Sequence, residues 1–457
     1  MATRASDPAA IADRPPSLLS REYRSTGIGI FALVALTAFE ALALTTVMPV
    51  ISADLDGAAL YAAAFAGTLV ASVVSVVCGG NLVDRRGPRP AFVLGLTLFA
   101  AGLVLAAFAP GMVVFVVARL LQGLGAGLTN TALYVLVIRV YPEALRVKVF
   151  AGFSAAWVLP SIFGPFLAGV IADTLGWRWV FGVSILILVI AATLLVPILK
   201  GLAPERTAVP WRHTAIISAV VLAVAVMTLN TVAEHPAIGW ILGGAVALAV
   251  AAWCVTRLTP HGTLRAATGL PAGVLARGLA FGSFAGAEIY IPRLLTARDG
   301  YPPTLAGLAL SICGVTWFLG STVQGRFADR MTVRTAVGLA GLAVLVGMCG
   351  IAASVLLSAP AWTIIAIWPL VGFGLGSAYP RVTDFALARA VDDEEGFVSA
   401  ALQISDSTAA ATALAVAAVV FTLLSTQGST IATSFGAVFL IAAVPALLMT
   451  LVSRRVR

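Results

Sequence analysis

Glu40, Glu288 and Asp406 are carboxylates set deep inside long apolar runs, and Arg119 is a guanidinium in another. Holding a charge at such depth costs ~2.5–3.5 kcal/mol on insertion scales, so residues kept there mark ion or cargo pathways by default. An acid in a dry cavity can load a proton and release it as water gains access, and it can attract a cationic molecule. The competing role is a buried acid hydrogen-bonded to neighbouring helices or, for Arg119, an arginine that snorkels to an interface or sits in a structural pair. Phe281 and Phe284 share a helical face with Glu288, and Ser399 and Gln403 share one with Asp406. Catalysis finds no such footing. His213, His235 and His261 lie far apart in loops, and Cys78, Cys254, Cys313 and Cys349 fall inside apolar runs without metal-ligand spacing. With no nucleophile–base set and no metal-ligand cluster, no enzyme, no metal and no other cofactor is expected.

The elements that must position these groups are membrane helices. Hydrophobic residues make up 60% of the 457 and charged residues only 11%, with a mean hydropathy of +1.03; a soluble domain carries roughly 25% charged residues. A span needs ~20 apolar residues. Fourteen stretches qualify: 27–51, 59–82, 90–109, 112–140, 148–172, 179–199, 214–234, 237–256, 272–295, 303–326, 335–358, 361–387, 397–424 and 431–452. They are continuous runs and not period-two alternations, which predicts an all-α membrane protein and excludes a barrel. The net charge of +8 is dispersed in short clusters, so no nucleic-acid partner is expected. With the N-terminus inside, the arginines of the tail and the arginines and lysines at 85, 86, 89, 146, 148, 200, 206, 212, 257, 265, 326, 330, 334, 389, 454, 455 and 457 are all cytoplasmic, and only Arg178, Arg293 and Arg298 face outward. The positive-inside rule therefore puts both termini in the cytoplasm.

The chain also repeats itself. Gly80, Asp84, Arg85 and Arg89 recur as Gly325, Asp329, Arg330 and Arg334, and Gly123–Leu–Gly125–Ala–Gly127 recurs as Gly372–Phe–Gly374–Leu–Gly376. Repeated halves with a site at their interface are a recurrent transporter architecture. The expected organisation is a disordered tail over 1–26, a six-helix bundle over 27–199, a linker with two extra spans over 200–270, and a second six-helix bundle with a short tail over 271–457. The segment Gly80–Arg89 reads as a loop whose glycines permit a tight turn. In span four, residues 119, 122, 123, 126, 127 and 130 share one face, so Arg119, Gln122 and Asn130 line a cavity or a close helix contact. Span five carries a small-residue ladder through Gly152, Ala156, Pro160, Gly164 and Ala168, a packing face in its own right.

These motifs resemble those of the major facilitator superfamily. Gly80, Leu82, Asp84, Arg85, Gly87 and Arg89 match its loop signature, G-x-L-A-D-[RK]-x-G-R-[RK], with Pro88 departing from it. Arg119, Gln122, Gly123 and Gly125 match R-x-x-Q-G-x-G. Pro160, Gly164, Pro165 and Gly169 stand in a segment similar to the antiporter motif G-P-x-x-G-G, with Ala168 in place of a glycine, and Trp177–Phe181 matches W-R-W-[IV]-F. Glu40, nine residues before Pro49, occupies the position of the acid in the fourteen-spanning drug:proton antiporters. The resemblance implies two six-helix bundles plus two linker helices. It implies that Gly80, Asp84, Arg85, Gly87, Arg89, Asp329 and Arg330 latch the cytoplasmic ends of the halves. It further implies proton-coupled efflux of small amphipathic or hydrophobic molecules such as drugs, by alternating access, in the inner or plasma membrane. Proton-coupled metabolite uptake and lipid or glycolipid export are the alternatives. Glu40, Arg119, Glu288 and Asp406 are then the candidates for proton or substrate handling, Glu40 as the coupling acid with Arg119 as its electrostatic modulator, and Gln122, Asn130, Phe281, Phe284 and Gln403 line the cavity. The expected partners are a small-molecule substrate, protons and the lipid bilayer, with a proton gradient as the energy source and a monomer as the working unit.

Overall fold

A computed structural model describes Leu18, Ser20 and residues 23–57, 60–201, 211–234, 238–301, 303–327, 330–391 and 394–457. Asp329, residues 235–237 and most of the expected tail lie outside the described residues. Within them the chain is helical throughout, with no strand. The first helices are α1 (Arg24–Asp54), α2 (Tyr61–Arg86), α3 (Pro88–Ala107), α4 (Met112–Val140), α5 (Glu143–Leu175) and α6 (Arg178–Gly201). Then come α7 (His213–Glu234) and α8 (Ile238–Leu258), followed by α9 (Leu270–Glu288), α10 (Tyr290–Asp299), α11 (Pro303–Arg326), α12 (Val333–Leu356), α13 (Ala361–Leu387), α14 (Glu395–Thr426) and α15 (Ile431–Val452). Ten segments among the described residues are long and apolar enough to cross a bilayer, and shorter apolar stretches occur at Phe166–Leu175, His213–Leu229 and Leu242–Leu258. Large apolar side chains cover the outside, Phe166 at 73% and Leu186 at 61% exposure among them. That surface suits lipid, since water would drive it to aggregate.

Three buried apolar clusters organise the helices. One draws mainly on α1–α6, a second on α9–α15, and a third joins α7 and α8 to α2 and α14. The repeated glycines explain how the first two clusters pack. A Cβ on Gly123 would sit 2.3 Å from the Thr68 carbonyl of α2, and one on Gly125 would sit 2.4 Å from the Phe99 nitrogen of α3. In the second set, a Cβ on Gly372 would meet the Cys313 carbonyl of α11 at 2.4 Å, and one on Gly374 the Ala340 carbonyl of α12 at 2.9 Å. Each glycine run therefore wedges its helix between the two helices before it, and hydroxyls seal the contact: Ser75 donates to the Gly123 carbonyl and Ser321 to that of Gly376.

One local expectation is corrected. Gly80–Arg89 is not a loop, because α2 continues through Asp84 to Arg86 and the whole turn is Gly87, at φ +76°, before Pro88 opens α3. Glycine alone tolerates that dihedral, and proline at a helix's first position forfeits no hydrogen bond. The ninth expected span, 272–295, falls within one apolar segment, Leu270–Asp299, in which α9 and α10 meet at Ile289 with helical dihedrals kept. Pro292 weakens the helix there, since it has no N–H to donate to the Glu288 carbonyl four residues earlier.

Candidate functional site

In α1–α6 the apolar interior closes over one ion pair. Glu40 of α1 and Arg119 of α4 approach to 3.7 Å, with both side chains 7% exposed. Ser184 of α6 donates to Glu40 Oε1, and Arg119 Nη1 donates to the Gln122 side-chain oxygen. The Arg119 Nε also reaches the Ala64 carbonyl of α2 at 3.5 Å. The Gln122 amide nitrogen is buried with no partner among the described residues, which leaves one donor beside the pair. Two of the four residues singled out for proton or substrate handling are thus brought together, from helices far apart in sequence.

A second pair, Arg277 of α9 with Asp406 of α14, lies among α9–α15. The Arg277 Nε donates to Asp406 Oδ2 at 3.0 Å and its Nη2 stands 2.9 Å from the same oxygen. Its remaining donors are used as well, Nη1 on the Thr383 hydroxyl at 2.6 Å and Nη2 on the Tyr134 hydroxyl at 3.0 Å. The guanidinium lies over the Tyr379 ring at 4.5 Å and the Tyr134 ring at 5.5 Å. Tyr134 belongs to α4, so this network crosses from one set of helices to the other. Ser399 and Gln403 do not serve Asp406. They turn to α4, where Ser399 donates to the Thr131 carbonyl and Gln403 bonds Asn130 and Thr131 at 3.2 Å.

Glu288 is half-buried at the end of α9 and has no hydrogen bond or ion pair among the described residues. Phe281 and Phe284 stand within an aromatic wall, Phe281 against Tyr379 at 6.1 Å and Phe284 against Trp317 and Trp368 at 5.4 and 5.8 Å.

The two sets of helices are closed against each other at the end that carries Asp84. Its carboxylate accepts from the backbone N–H groups of Gly396 and Phe397 at 2.7 and 3.2 Å, at the start of α14, where a helix dipole favours an anion. Gly80 permits the approach, because a Cβ there would lie 2.7 Å from the Gly396 carbonyl. Arg139 of α4 pairs with Glu395 at 2.8 Å. Arg212, just before α7, joins the same cluster: its backbone N–H donates to Asn81, its guanidinium pairs with Glu394 at 2.8 Å, and it lies over the Phe397 ring at 4.8 Å. Arg85 lies over Trp211, Arg89 is exposed, and Arg330 lies over Phe327. At the opposite end Asp54 accepts from Trp177 at 3.0 Å and Arg178 at 2.9 Å. On α5, Gly164 faces Phe39 and Leu42 of α1, Gly169 faces Thr46, and Pro160 is buried; the Pro165 side chain lies outside the described residues.

A family profile for the major facilitator superfamily matches residues 30–414. The chain belongs to this superfamily. A probable multidrug-efflux transporter of Mycobacterium tuberculosis is 30% identical over 408 residues, covering 84% of each chain. Multidrug resistance protein 3 of Bacillus subtilis is 25% identical, covering 76% of this chain and 70% of its own length. In structure, a bacterial homologue of the iron transporter ferroportin in an outward-facing state aligns with a TM-score of 0.67 at 12% identity, over 94% of this chain and 98% of the other. This superfamily member is accordingly a multi-pass membrane transporter of small molecules, not an enzyme, and its class operates without a cofactor.

Sequence reasoning missed Arg277, Tyr134, Tyr379, Thr383 and Arg212. The signal for Arg277 was available, since a permanently charged residue in an apolar run is what had drawn attention to Arg119. It lies near the start of its run and belongs to no recognised superfamily motif. The two tyrosines and Thr383 carry no sequence signal, because each acts only through a partner on another helix.

Proposed function

We propose that this chain is a proton-driven exporter that moves small amphipathic or hydrophobic molecules out across the inner or plasma membrane by alternating access. The observation that carries the reading is the Glu40–Arg119 couple, an acid held beside a fixed positive charge inside an apolar bundle. Protonation of Glu40 removes its attraction for Arg119 and frees that side of the bundle to rearrange. Deprotonation draws the pair together again. A gradient can then be exchanged for cargo movement because water reaches the acid from different sides in different states. The multidrug relatives support the direction and the cargo class.

In this reading the working unit is a monomer of fourteen spans with both termini cytoplasmic. Residues 27–199 and 271–457 are the two moving bundles, and 200–270 links them. Asp84 and its neighbours act as the cytoplasmic latch, and the small residues of α5 give α1 a surface to slide on. Asp406 and Glu288 are further acids on the route, with Gln122, Asn130, Gln403, Phe281 and Phe284 lining it. Closure at the Asp84 end corresponds to the outward-facing state.

The test is transport in reconstituted vesicles with an imposed pH gradient, using lipophilic dyes and drugs. Wild type is expected to move cargo only while the gradient lasts. Glu40→Gln is expected to abolish gradient-driven transport while retaining binding of neutral cargo. Full pH-driven transport by Glu40→Gln would shift the coupling role to Asp406 or Glu288, and transport indifferent to the gradient would overturn proton coupling altogether.

A further inference from the structure

A cavity of about 500 Å3 runs between α8, α9, α14 and α15, and none of the four residues of the two ion pairs lines it. Its walls extend from Thr263 and Leu275 at one end to Gly286, Leu248 and Ala417 at the other. Along α14, from Ser405 to Ala417, that is about 18 Å at 1.5 Å per residue. Half of a ~30 Å hydrocarbon core is about 15 Å, so the groove is as long as one leaflet is thick. Its floor is the close α9–α14 contact, where Gly278, Gly282 and Gly286 of α9 lie against Ser405, Ala409 and Ala413 of α14. The lining is apolar apart from a few hydroxyls, and that of Thr408, 8% exposed, has no hydrogen-bond partner among the described residues.

The charge at one mouth singles out the occupant. Thr263 and Leu264 line the groove, and Arg265 follows them directly, exposed. Arg455 reaches the same place, its Nη1 donating to the carbonyls of Arg265 and Ala266 at 3.0 and 3.1 Å. No Asp or Glu occurs between residues 238 and 287 or between 407 and 457, so α8, α15 and the start of α9 bring no acid to neutralise these arginines. An apolar slot one leaflet long, capped by uncompensated guanidinium groups, matches a molecule with an acyl tail and an anionic head.

We propose that this groove is a binding site for one anionic phospholipid, its acyl chain lying along α9 and α14 and its phosphate held by Arg265 and Arg455. The site is built partly by α8, so an occupant would fasten that helix to the α9–α15 cluster.

The test is native mass spectrometry of the purified full-length protein titrated with dioleoyl phosphatidylglycerol or dioleoyl phosphatidylcholine, alongside thermal unfolding with each lipid. Wild type is expected to retain one phosphatidylglycerol at least tenfold more tightly than phosphatidylcholine and to unfold at a higher temperature with it. Arg265→Gln with Arg455→Gln, both at exposed positions, is expected to erase the preference. Thr412→Trp, which fills the slot while leaving the arginines in place, is expected to weaken retention, with Ala252→Trp on the facing helix as an independent filling variant. Equal retention of the two lipids by wild type would overturn the proposal, as would a preference that survives removal of both arginines. Retention undiminished in both filling variants, or equal protection by glycerol phosphate, would show that the head alone is bound and would overturn the acyl slot.

Discussion

At the scale of single residues, environment decides what an ion pair is worth. Burying two charges is costly, and removing one partner strands the other, a loss of about 3–5 kcal/mol. Arg277 is 2% exposed and Asp406 14% at the side chain, so Arg277→Gln alone is expected to lower thermal stability in detergent by about that much. Asp406→Asn added to it should restore a large part, and a double variant no better than the single would show that the charges are not coupled. Asp54 and Arg178 behave differently, with side chains 48% and 44% exposed. The Trp177 and Arg178 hydrogen bonds hold the Asp54 carboxyl below its ordinary value of 3.8. A depressed acid contributes stability above its unfolded value and loses it as the pH falls through the folded one. The stability gap between wild type and Asp54→Asn should therefore be full at neutral pH and shrink below about pH 4, and a gap constant down to pH 2 would contradict the tie.

Among the elements, the glycine runs of α4 and α13 set how closely neighbouring helices approach. A Cβ on Gly376 would lie 1.9 Å from the Trp317 carbonyl, whereas one on Gly152 of α5 would meet nothing within 4 Å. The same substitution should then have opposite signs at the two positions. Gly376→Ala forces α13 away from α11 and is expected to destabilise by about 1–3 kcal/mol. Gly152→Ala only removes a flexible residue from a helix and is expected to be neutral or to stabilise by up to about 1 kcal/mol. Thermal unfolding of both variants in one detergent decides it, and equal effects would mean that the close approach does not limit packing. The same logic accounts for Gly80 at Gly396, where two backbones touch because neither residue has a side chain.

For the whole molecule, the balance between closed and open states depends on contacts made in only one of them. Asp84 with the start of α14, Arg139 with Glu395 and Arg212 with Glu394 all bind the Asp84 end shut. Arg212 is the member supplied by the segment before α7. Its pair is partly exposed, at 34% and 41%, so it is worth up to about 1 kcal/mol after screening, or a population shift of about fivefold. Spin labels at Arg86 and Val391, both exposed, report the opening as a longer distance. Arg212→Gln is expected to raise the long-distance fraction up to fivefold, and Asp84→Asn to raise it further. An unchanged distance distribution in Arg212→Gln would confine the role of this arginine to local folding.

Much of this protein is legible one residue at a time. Apolar runs of about 20 residues identify membrane helices because lipid offers the backbone no hydrogen bonds. The Gly–x–Gly–x–Gly repeat marks matching helices in the two sets because close approach demands the same small residues wherever it occurs. Glu40, Arg119 and Asp406 could be flagged because a buried charge is costly whatever surrounds it. Most of the pairing was not legible. That Asp406 meets Arg277 instead of Ser399 or Gln403, and that Tyr134 reaches across to Arg277, are facts about which helix faces meet. Periodicity places a residue on a face of its own helix but carries no information about the helix opposite. The turn at Gly87 and the α9–α10 junction before Pro292 lay between these limits, since both causes are written in the sequence while the helix contacts they shape are decided only by the packed bundle.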